Sequence, residues 1–409
     1  MMRVRPSDSV SAVAEMQGLD GAFSFAEKLL QKIWLRGDFD RAAAVTTDGR
    51  GVRIVHPGKW NLLGGPDFLS ARLRLGDDAT RELLGDVEVH LRANDWNAHG
   101  HASDPAYANV VLHVVLFPPE KNQATLGAGG REIPVLALLP LLHHALEEFA
   151  ADEAVENLAD RPLSRVTEEL GRLPAPELAV LLARHAETRW RQKVHFARLR
   201  VQRLGWETTC HHTALEILGY RFNRAPLLRI AGEHPLARWA TGAVDADAVF
   251  VAEAKGWSLQ GVRPANHPRT RLRQYAAWAK ARPDWPARLL ALAASLPIID
   301  AATTSKGTRE LRRVHQFSKL RARLATEICG DAVGGTRLDN LVCDGLLPLL
   351  AAQTSRDHRG LWHRWFAGDL PPSITGGLRV LGCFDGRAHP ACHGTAQGFL
   401  GWLIENEAR

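Results

Sequence analysis

The spacing of apolar residues changes near residue 130, and this change limits the possible folds more than any other feature. Before it, short segments such as FLSARLRLGD and GDVEVHLRA alternate apolar and polar residues, which is typical of half-buried strands. After it, apolar residues recur at helical spacing over long segments such as 174–203, 207–219 and 271–282. The sequence therefore predicts a sheet-containing N-terminal part and a mainly helical remainder.

The order of helices and strands can be predicted for the N-terminal part. Helical spacing over residues 22–36 predicts a helix, and three strand patterns follow in VRIVH, FLSARLRL and GDVEVHL. The Asp-Pro and Gly signals of DWNAHGHASDPAYAN predict a loop with a short helix before the buried strand NVVLHVVLF. Pro, Gly and polar residues then cluster in FPPEKNQATLGAGGREIP. We therefore predict an α/β domain over 1–125 and a mainly helical domain over 126–409.

Composition excludes several classes of protein. A chain of 409 residues with 45% apolar content can build a substantial core. Its apolar runs fall short of the ~20 residues that a bilayer requires, and MMRVRPSDSV lacks the pattern of a signal peptide. An odd count of 5 cysteines does not indicate a disulfide framework. We expect a cytoplasmic protein without a membrane partner, and the sequence leaves its oligomeric state open.

One strand places several polar side chains on the same face. Residues two apart on a strand point to the same side, so Glu88, His90 and Arg92 align while Val87 and Val89 face the opposite way. A strand with this pattern can be anchored in a core and still present reactive groups. It therefore contains candidate catalytic residues.

An aspartate precedes this strand, behind the Gly-Gly-Pro turn of GGPDF. Asp67 and Glu88, on two neighbouring strands, can converge on a hard cation such as Mg²⁺ or Mn²⁺, which prefers oxygen ligands. Such an ion can bind a phosphate and generate a hydroxide nucleophile. These residues predict a divalent-metal site.

Pro66-Asp67 followed by Glu88-Val89-His90, in this order of elements, resembles the PD-(D/E)XK nuclease superfamily over residues 20–118. The resemblance implies a restriction-endonuclease-like mixed sheet with a flanking helix and metal-dependent phosphodiester cleavage. His90 stands where that superfamily has lysine, and histidine can act as a base or a ligand near neutral pH. Glu27 matches the position of an additional acidic ligand in many members, and an exposed helix glutamate is the alternative. Arg92 could neutralise a phosphate.

A more specific resemblance spans nearly the whole chain. The strings PGKWNLLGGPDFLSARL and GDVEVHLRANDWNAHGHASDPAYANVVLHVV resemble an uncharacterised bacterial domain-of-unknown-function family. Later segments agree with it, including ETRWRQKV, EILGYRFNRAPLLRIA, GVRPANHPRTRLRQYA and LGCFDGRAHPACHGTAQGFLGWL. This resemblance implies a family but no activity.

Histidines are dense within the same signature. It contains His90, His99, His101 and His113, and imidazole nitrogens suit zinc, manganese or iron. The alternative for His113, which shares the strand parity of Val111, is a hydrogen-bonded core histidine.

A second candidate metal site lies near the C-terminus. Cys383, His389, Cys392 and His393 carry thiolate and imidazole ligands suited to zinc, with Cys343 as another possible ligand. The family resemblance implies an additional cysteine at position 389, which would also suit an iron–sulfur cluster. Small buried thiols beside a turn are the alternative.

Two basic segments, 184–203 and 263–282, are candidates for nucleic-acid binding. Their cations could contact phosphates while nearby aromatic rings stack on bases, and a solvated helix face is the alternative reading. The candidate contacts are Arg189, Arg191, Lys193, Arg271 and Arg273.

Three functional hypotheses follow from these observations. The first is a metal-dependent phosphodiesterase of the nuclease kind that acts on nucleic acid, with Asp67, Glu88 and His90 as catalytic residues. The second is a catalytically decayed nuclease fold that binds nucleic acid or a protein partner. The third is a histidine-liganded metal hydrolase of a small substrate.

Overall fold

The computed structural model describes residues 27–76, 82–119, 125–142, 146–160, 163–220, 223–254, 256–259, 262–299, 307–354, 356–385 and 390–407. The chain divides into two compact units, Met1–Ala150 and Ala151–Glu407. Each unit has its own apolar core. The domain boundary at residue 125 stays a prediction.

The first unit combines helices with strands. Its elements are α1 (Glu27–Arg36), β1 (Val52–His56), β2 (Lys59–Trp60), β3 (Phe68–Leu75), β4 (Leu83–His90), α2 (Asp95–Ala98), β5 (Val110–Val115), β6 (Thr125–Leu126), β7 (Glu132–Ile133) and β8 (Val135–Ala137). Two short 3₁₀ turns, His101–Ser103 and Pro105–Tyr107, lie between α2 and β5.

The sheet of this unit is mixed. Among the described residues its order is β1-β3-β4-β5-β8, with β2 also paired to β3. The pairs β1–β3, β2–β3 and β3–β4 are antiparallel, whereas β4–β5 and β5–β8 are parallel. A parallel pair requires a crossover, and the segment with α2 and the two 3₁₀ turns provides it between β4 and β5. The predicted mixed sheet with a flanking helix is confirmed.

Strand β4 is buried on both faces near its C-terminal end. Val87 and Val89 are fully buried in the apolar core that also contains Trp34 of α1. Glu88 and His90 point to the opposite face and are also buried, with relative exposures of 5% and 1%. The alternation predicted for this strand is therefore present, but its polar face is covered rather than open to water.

The remainder of the chain is mainly helical, as expected from its apolar periodicity. Its helices are α3 (Leu146–Asp160), α4 (Leu163–Gly171), α5 (Ala175–Leu204), α6 (Trp206–Leu218), α7 (Arg224–Glu233), α8 (Leu236–Ala240), α9 (Ala246–Ala252), α10 (Pro268–Ala281), α11 (Trp285–Leu292), α12 (Thr308–Val314), α13 (Phe317–Arg323), α14 (Gly335–Asn340), α15 (Leu347–Gln353), α16 (Arg359–Arg364), α17 (Pro372–Val380) and α18 (His393–Glu407). Leu324–Ile328 and Leu341–Leu346 are π-helical.

The helical unit packs around tryptophans. Trp239, Trp278, Trp285, Trp362 and Trp365 are almost fully buried in one apolar cluster. Trp278 donates to Ile328 O at 2.8 Å and Trp362 to Cys343 O at 2.9 Å, so these indoles bury their large apolar area with the N–H satisfied. No helix in the described ranges has both the length and the apolar character needed to cross a bilayer.

Gly85 provides a test of the close approach between β4 and β5. A Cβ at Gly85 would lie 2.3 Å from Val111 Cγ1 and 2.7 Å from Asn109 O. Backbone atoms cannot move away from a Cβ at that distance without a large energetic cost. We therefore expect Gly85→Ala to lower the free energy of unfolding, measured by chemical denaturation, by about 2 kcal/mol or more. Gly64→Ala is the control, since a Cβ there meets nothing within 4 Å. Equal stability of the two variants would contradict the described pairing of β4 with β5.

Candidate metal centre

Reciprocal hydrogen bonds join Asp67 to β4. The backbone N–H of Asp67 donates to Glu88 Oε2 at 3.0 Å, and the backbone N–H of Val89 donates to Asp67 Oδ2 at 3.0 Å. The other oxygen of Asp67, Oδ1, accepts from Gln31 Nε2 of α1 at 2.7 Å. The two acidic residues therefore lie on adjacent elements, as the sequence predicted, and their carboxylates are held by directed contacts.

Three imidazoles converge beside Glu88. His90, His99 and His101 each offer a ring nitrogen, and these nitrogens all lie within 4.8 Å of one another. Glu88 Oε1 lies 3.4 Å from His90 Nε2 and 3.3 Å from His101 Nε2. The arrangement brings a carboxylate oxygen against two of the three imidazoles.

Local backbone geometry explains how the crossover presents His99 and His101. His99 follows the last residue of α2, and His101 begins the next 3₁₀ turn. Gly100 between them has φ +76°, a left-handed conformation that residues with a Cβ seldom adopt. The turn at Gly100 therefore lets two histidines in the sequence His-Gly-His reach the same cluster.

Aromatic rings enclose the buried side of the cluster. The ring of Tyr107 stacks on that of His101 with a centroid separation of 3.8 Å. Trp96 of α2 packs edge-on against both His101 and Tyr107, and its indole N–H donates to Leu126 O at 3.0 Å. His101 is therefore held by an aromatic environment, whereas His99 is exposed.

A second histidine and a threonine orient His90. His90 Nδ1 lies 2.9 Å from His113 Nε2, and His113 Nδ1 lies 2.8 Å from Thr125 Oγ1. His90 Nε2 lies 3.2 Å from His99 Nδ1, so the Nε2 atom is the one directed into the cluster. Metal-binding histidines commonly use their other ring nitrogen for such an orienting hydrogen bond. His113 is completely buried, as expected for the core histidine that was its alternative reading.

Burial controls the charges of this site. Burial lowers the pKa of His90 to about 4 and of His113 to about 3, so their imidazoles are neutral near pH 7. Burial raises the pKa of Asp67 to about 6, and burial together with the charge of Asp67 raises the pKa of Glu88 to about 8. The site thus contains neutral imidazoles, which are the form that binds metals, beside a carboxyl that lacks a strong positive partner.

One buried ring nitrogen of the site, Nε2 of His101, makes no hydrogen bond. The His101 residue is 8% exposed, and its Nε2 atom has no hydrogen-bond partner despite its distance of 3.3 Å to Glu88 Oε1. A close contact without hydrogen-bond alignment leaves a buried polar atom unsatisfied, which is costly. The donor set of imidazole nitrogens and one carboxylate is the kind that holds a transition-metal ion. His90, His99 and His101 can therefore bind a metal ion.

Glu27 lies close to the acidic residues of the site, whereas Arg92 lies beyond the end of β4. Glu27 begins α1, and burial raises its pKa while the charge of His99 lowers it. Its charge also raises the pKa of Asp67 and Glu88, so Glu27 is close to the acidic residues. Arg92 lies beyond the end of β4, is exposed, and places its guanidinium over the ring of Phe117 at 4.5 Å.

Sequence reasoning missed several residues of this site. Gln31, Trp96, Tyr107 and Thr125 were not predicted, although each contacts a predicted site residue. A signal existed for Gln31, because it lies one helical turn after Glu27 and so shares its face of α1. No comparable spacing links Thr125 to His113, since their contact depends on the tertiary fold.

The C-terminal Cys/His segment is arranged differently. Cys392 Sγ contacts Thr395 Oγ1 at 2.9 Å, and Cys383 Sγ donates to Leu381 O at 3.7 Å. His393 Nε2 lies 3.8 Å from Asp344 Oδ1, and His389 falls outside the described residues. In the part of the chain that the structure describes, His90, His99 and His101 form the one group of three or more such ligands that converges. Zinc or an iron–sulfur cluster at the C-terminal segment stays a prediction.

The candidate nucleic-acid contacts differ in exposure: Arg191 and Arg273 are exposed, whereas the side chain of Lys193 is only 9% exposed. Arg189 and Arg271 have relative exposures of 1% and 6%. The others form ion pairs: Arg191 with Glu187, Lys193 with Asp344, and Arg273 with Asp247. Their role in binding nucleic acid stays a prediction, and the burial of the Arg189, Lys193 and Arg271 side chains does not favour it.

The charge of Glu88 gives a test that requires no assumption about function. Because burial raises its folded pKa from 4.5 to about 8, the folded state retains the proton more strongly than the unfolded chain. The contribution of Glu88 to stability is therefore lost as pH rises through this interval. After metal chelation, we expect Glu88→Gln to exceed wild type in free energy of unfolding by on the order of 1–2 kcal/mol at about pH 9, with little difference at about pH 4.5.

The matched control is Asp86→Asn on the same strand, whose carboxylate accepts from the backbone N–H of Ser70. Urea denaturation monitored by tryptophan fluorescence measures all three proteins over the pH range. A stability difference between Glu88→Gln and wild type that stays constant with pH would contradict the raised pKa of Glu88.

Comparison with known proteins gives a family but no activity. Neither the curated proteins nor the solved structures contain a significant match to this chain. A family model does match, over residues 27–247, which is more than half of the chain and includes all the residues of the histidine cluster. The chain belongs to the DUF2851 family, described as a protein of unknown function.

Proposed function

We propose that this protein is a metal-dependent hydrolase in which His90, His99 and His101 bind one divalent ion and Glu88 lies beside it. The observation that carries the proposal is the convergence of three imidazole nitrogens within 4.8 Å, next to a buried carboxylate oxygen. The unsatisfied Nε2 of His101 supports it, because coordination would satisfy that atom.

The donor set favours a transition metal over magnesium. Three imidazoles suit Zn²⁺, Mn²⁺ or Fe²⁺, whereas Mg²⁺ prefers oxygen ligands and water. Both oxygens of Asp67 already accept hydrogen bonds, from Gln31 and from the backbone of Val89. This occupancy makes Asp67 a less available ligand than the nuclease resemblance implies.

Each residue then has a chemical role. His90, His99 and His101 would hold the ion, which would supply Lewis acidity that lowers the pKa of a coordinated water toward neutrality. His113 and Thr125 fix the orientation of His90, so that its Nε2 remains directed into the site. A cation held by the imidazoles would favour the ionised form of Glu88, whose Oε1, close to two of the imidazoles, can then accept a proton from water. Asp67 holds the other carboxylate oxygen of Glu88 through its backbone N–H.

Phosphodiester cleavage of nucleic acid is a second candidate. Asp67 immediately precedes β3, which pairs antiparallel with β4, and its backbone N–H donates to Glu88, with His90 two residues further along β4. These positions correspond to the acidic pair and the lysine of the PD-(D/E)XK motif. In that case Asp67 and Glu88 would hold the Mg²⁺ or Mn²⁺ that the reaction requires, with the histidines in a supporting role.

Metal binding tests the first proposal directly. We expect the chelated protein to take up one Zn²⁺ or Co²⁺ per chain, measured by calorimetry and by the visible spectrum of bound Co²⁺. His101→Ala should weaken the affinity by about 100-fold or more, because even outer residues of metal sites contribute 10- to 100-fold. His56→Ala is the control, since His56 is an exposed histidine on β1. Equal metal affinity in His101→Ala and wild type would refute the histidine centre.

A substitution at His90 separates the two candidate activities. His90→Lys introduces the lysine of the nuclease motif but removes a metal-binding imidazole. A histidine-centred hydrolase should lose metal binding and its hydrolysis of small phosphate and carboxylic esters. A nuclease should retain cleavage of DNA or RNA with Mg²⁺ or Mn²⁺, with its pH optimum raised because lysine has the higher pKa.

Glu88→Gln controls both assays, since either activity requires this carboxylate. Equal activity in wild type and Glu88→Gln would indicate contamination and remove both enzymatic proposals. Salt-sensitive binding of nucleic acid without cleavage would instead support the decayed-nuclease hypothesis.

A further inference from the structure

Two buried arginines face each other in the helical unit, far along the chain from the histidine cluster. Arg271 of α10 and Arg337 of α14 each have a relative exposure of 6%. Both donate to the same atom: Arg271 Nη2 lies 2.5 Å from Asn266 Oδ1, and Arg337 Nη2 lies 3.1 Å from it. Two guanidinium groups are therefore held next to each other by one neutral oxygen.

The other contacts of these arginines leave donors unused. Arg271 Nη1 donates to Gln274 Oε1 at 2.6 Å, and Arg337 Nη1 donates to Ile217 O at 3.4 Å. The Nε atoms of both arginines are buried and have no hydrogen-bond partner. An arginine has five N–H donors in a rigid fork, and buried donors without acceptors are costly. Both arginines thus retain unmet capacity to donate.

The two guanidinium groups repel each other at this position. Arg337 pairs with Asp369, whose Oδ2 lies 3.4 Å from Arg337 Nη2. The charge of Asp369 raises the pKa of both arginines. Burial and the charge of Arg337 lower the pKa of Arg271 to about 10. An additional anion would relieve this mutual repulsion.

Backbone strain adds an independent observation. Tyr220 has φ +55°, a left-handed conformation that is unfavourable for a residue with a bulky side chain. In this conformation its ring lies under Arg337, with the guanidinium carbon 4.7 Å from the ring centroid. Strained residues persist where the surrounding structure imposes them, commonly at binding sites. Asn266 and Asp369 are partly exposed, so the cluster reaches the surface.

We propose that Arg271, Arg337 and Asn266 form a binding site for a single phosphate group, as inorganic phosphate or as the phosphomonoester of a small molecule. A carboxylate offers one pair of oxygens and can engage only one guanidinium fork in bidentate fashion. A tetrahedral phosphate offers different oxygens to each of two forks, and its double negative charge balances both arginines. The site is independent of the proposed hydrolase chemistry.

Calorimetry with the full chain tests the site, with inorganic phosphate, glycerol phosphate and acetate as separate ligands. We expect one phosphate to bind per chain, with acetate at least about tenfold weaker because it engages one fork. Arg271→Gln should weaken phosphate binding by about tenfold or more, since it removes charge-assisted hydrogen bonds. Tighter binding of glycerol phosphate than of inorganic phosphate would identify a phosphomonoester as the ligand, and the reverse order would identify free phosphate.

Two further variants distinguish a loss of phosphate binding from a loss of folding. Arg337→Lys retains the charge and removes the fork, so it should fold and still bind phosphate more weakly than wild type. Arg288→Gln removes an exposed arginine paired with Asp284 and should bind phosphate as wild type does. The proposal fails if wild type does not bind phosphate. It fails equally if Arg337→Lys and Arg288→Gln bind phosphate with the same affinity.

Discussion

The hydrogen bonds that cross between Asp67 and β4 determine the arrangement of the candidate metal centre. Each partner supplies one backbone N–H and one carboxylate oxygen, so the entry into β3 and the middle of β4 fix each other. Because Glu88 Oε2 is held in this way, Oε1 is left to face the imidazoles. The parallel partner strand β5 then brings His113 against His90 from the other side. Sheet pairing therefore fixes both the acidic and the imidazole components.

This arrangement has an energetic cost that the fold must offset. Glu88, His90, His101 and His113 are polar side chains with little exposure, and their pKa values are displaced against their charged forms. The apolar face of the same strands, with Val87 and Val89 against Trp34, provides the compensating burial. The sheet can thus bury polar side chains on one face because its other face packs well against the apolar core. Clusters of this kind are more commonly found at functional sites than in purely structural cores.

Much of the fold could be predicted from local pattern. Alternation predicted β3 and β4, and helical periodicity predicted α5, α6 and α10, because these signals depend only on neighbours in the chain. The adjacency of Asp67 and Glu88 also followed, since consecutive strands usually pair. By contrast, the pattern could not show that the polar face of β4 is covered by the segment after it, nor that Arg92 lies past the strand end. Burial of Arg189 and Arg271 was equally hidden, because a run of basic residues has the same sequence signature whether it faces water or a core.

The three imidazoles of the cluster differ in their exposure to solvent. His90 and His101 are enclosed by β4, Tyr107 and Trp96, whereas the side chain of His99 is open to solvent. Among these three residues of the described structure, His99 is thus the one that water reaches, and an ion held by the cluster would be exposed to solvent on that side. The side chain at position 99 would therefore influence how fast a bound ion dissociates. The two buried imidazoles would contribute most to the affinity for that ion.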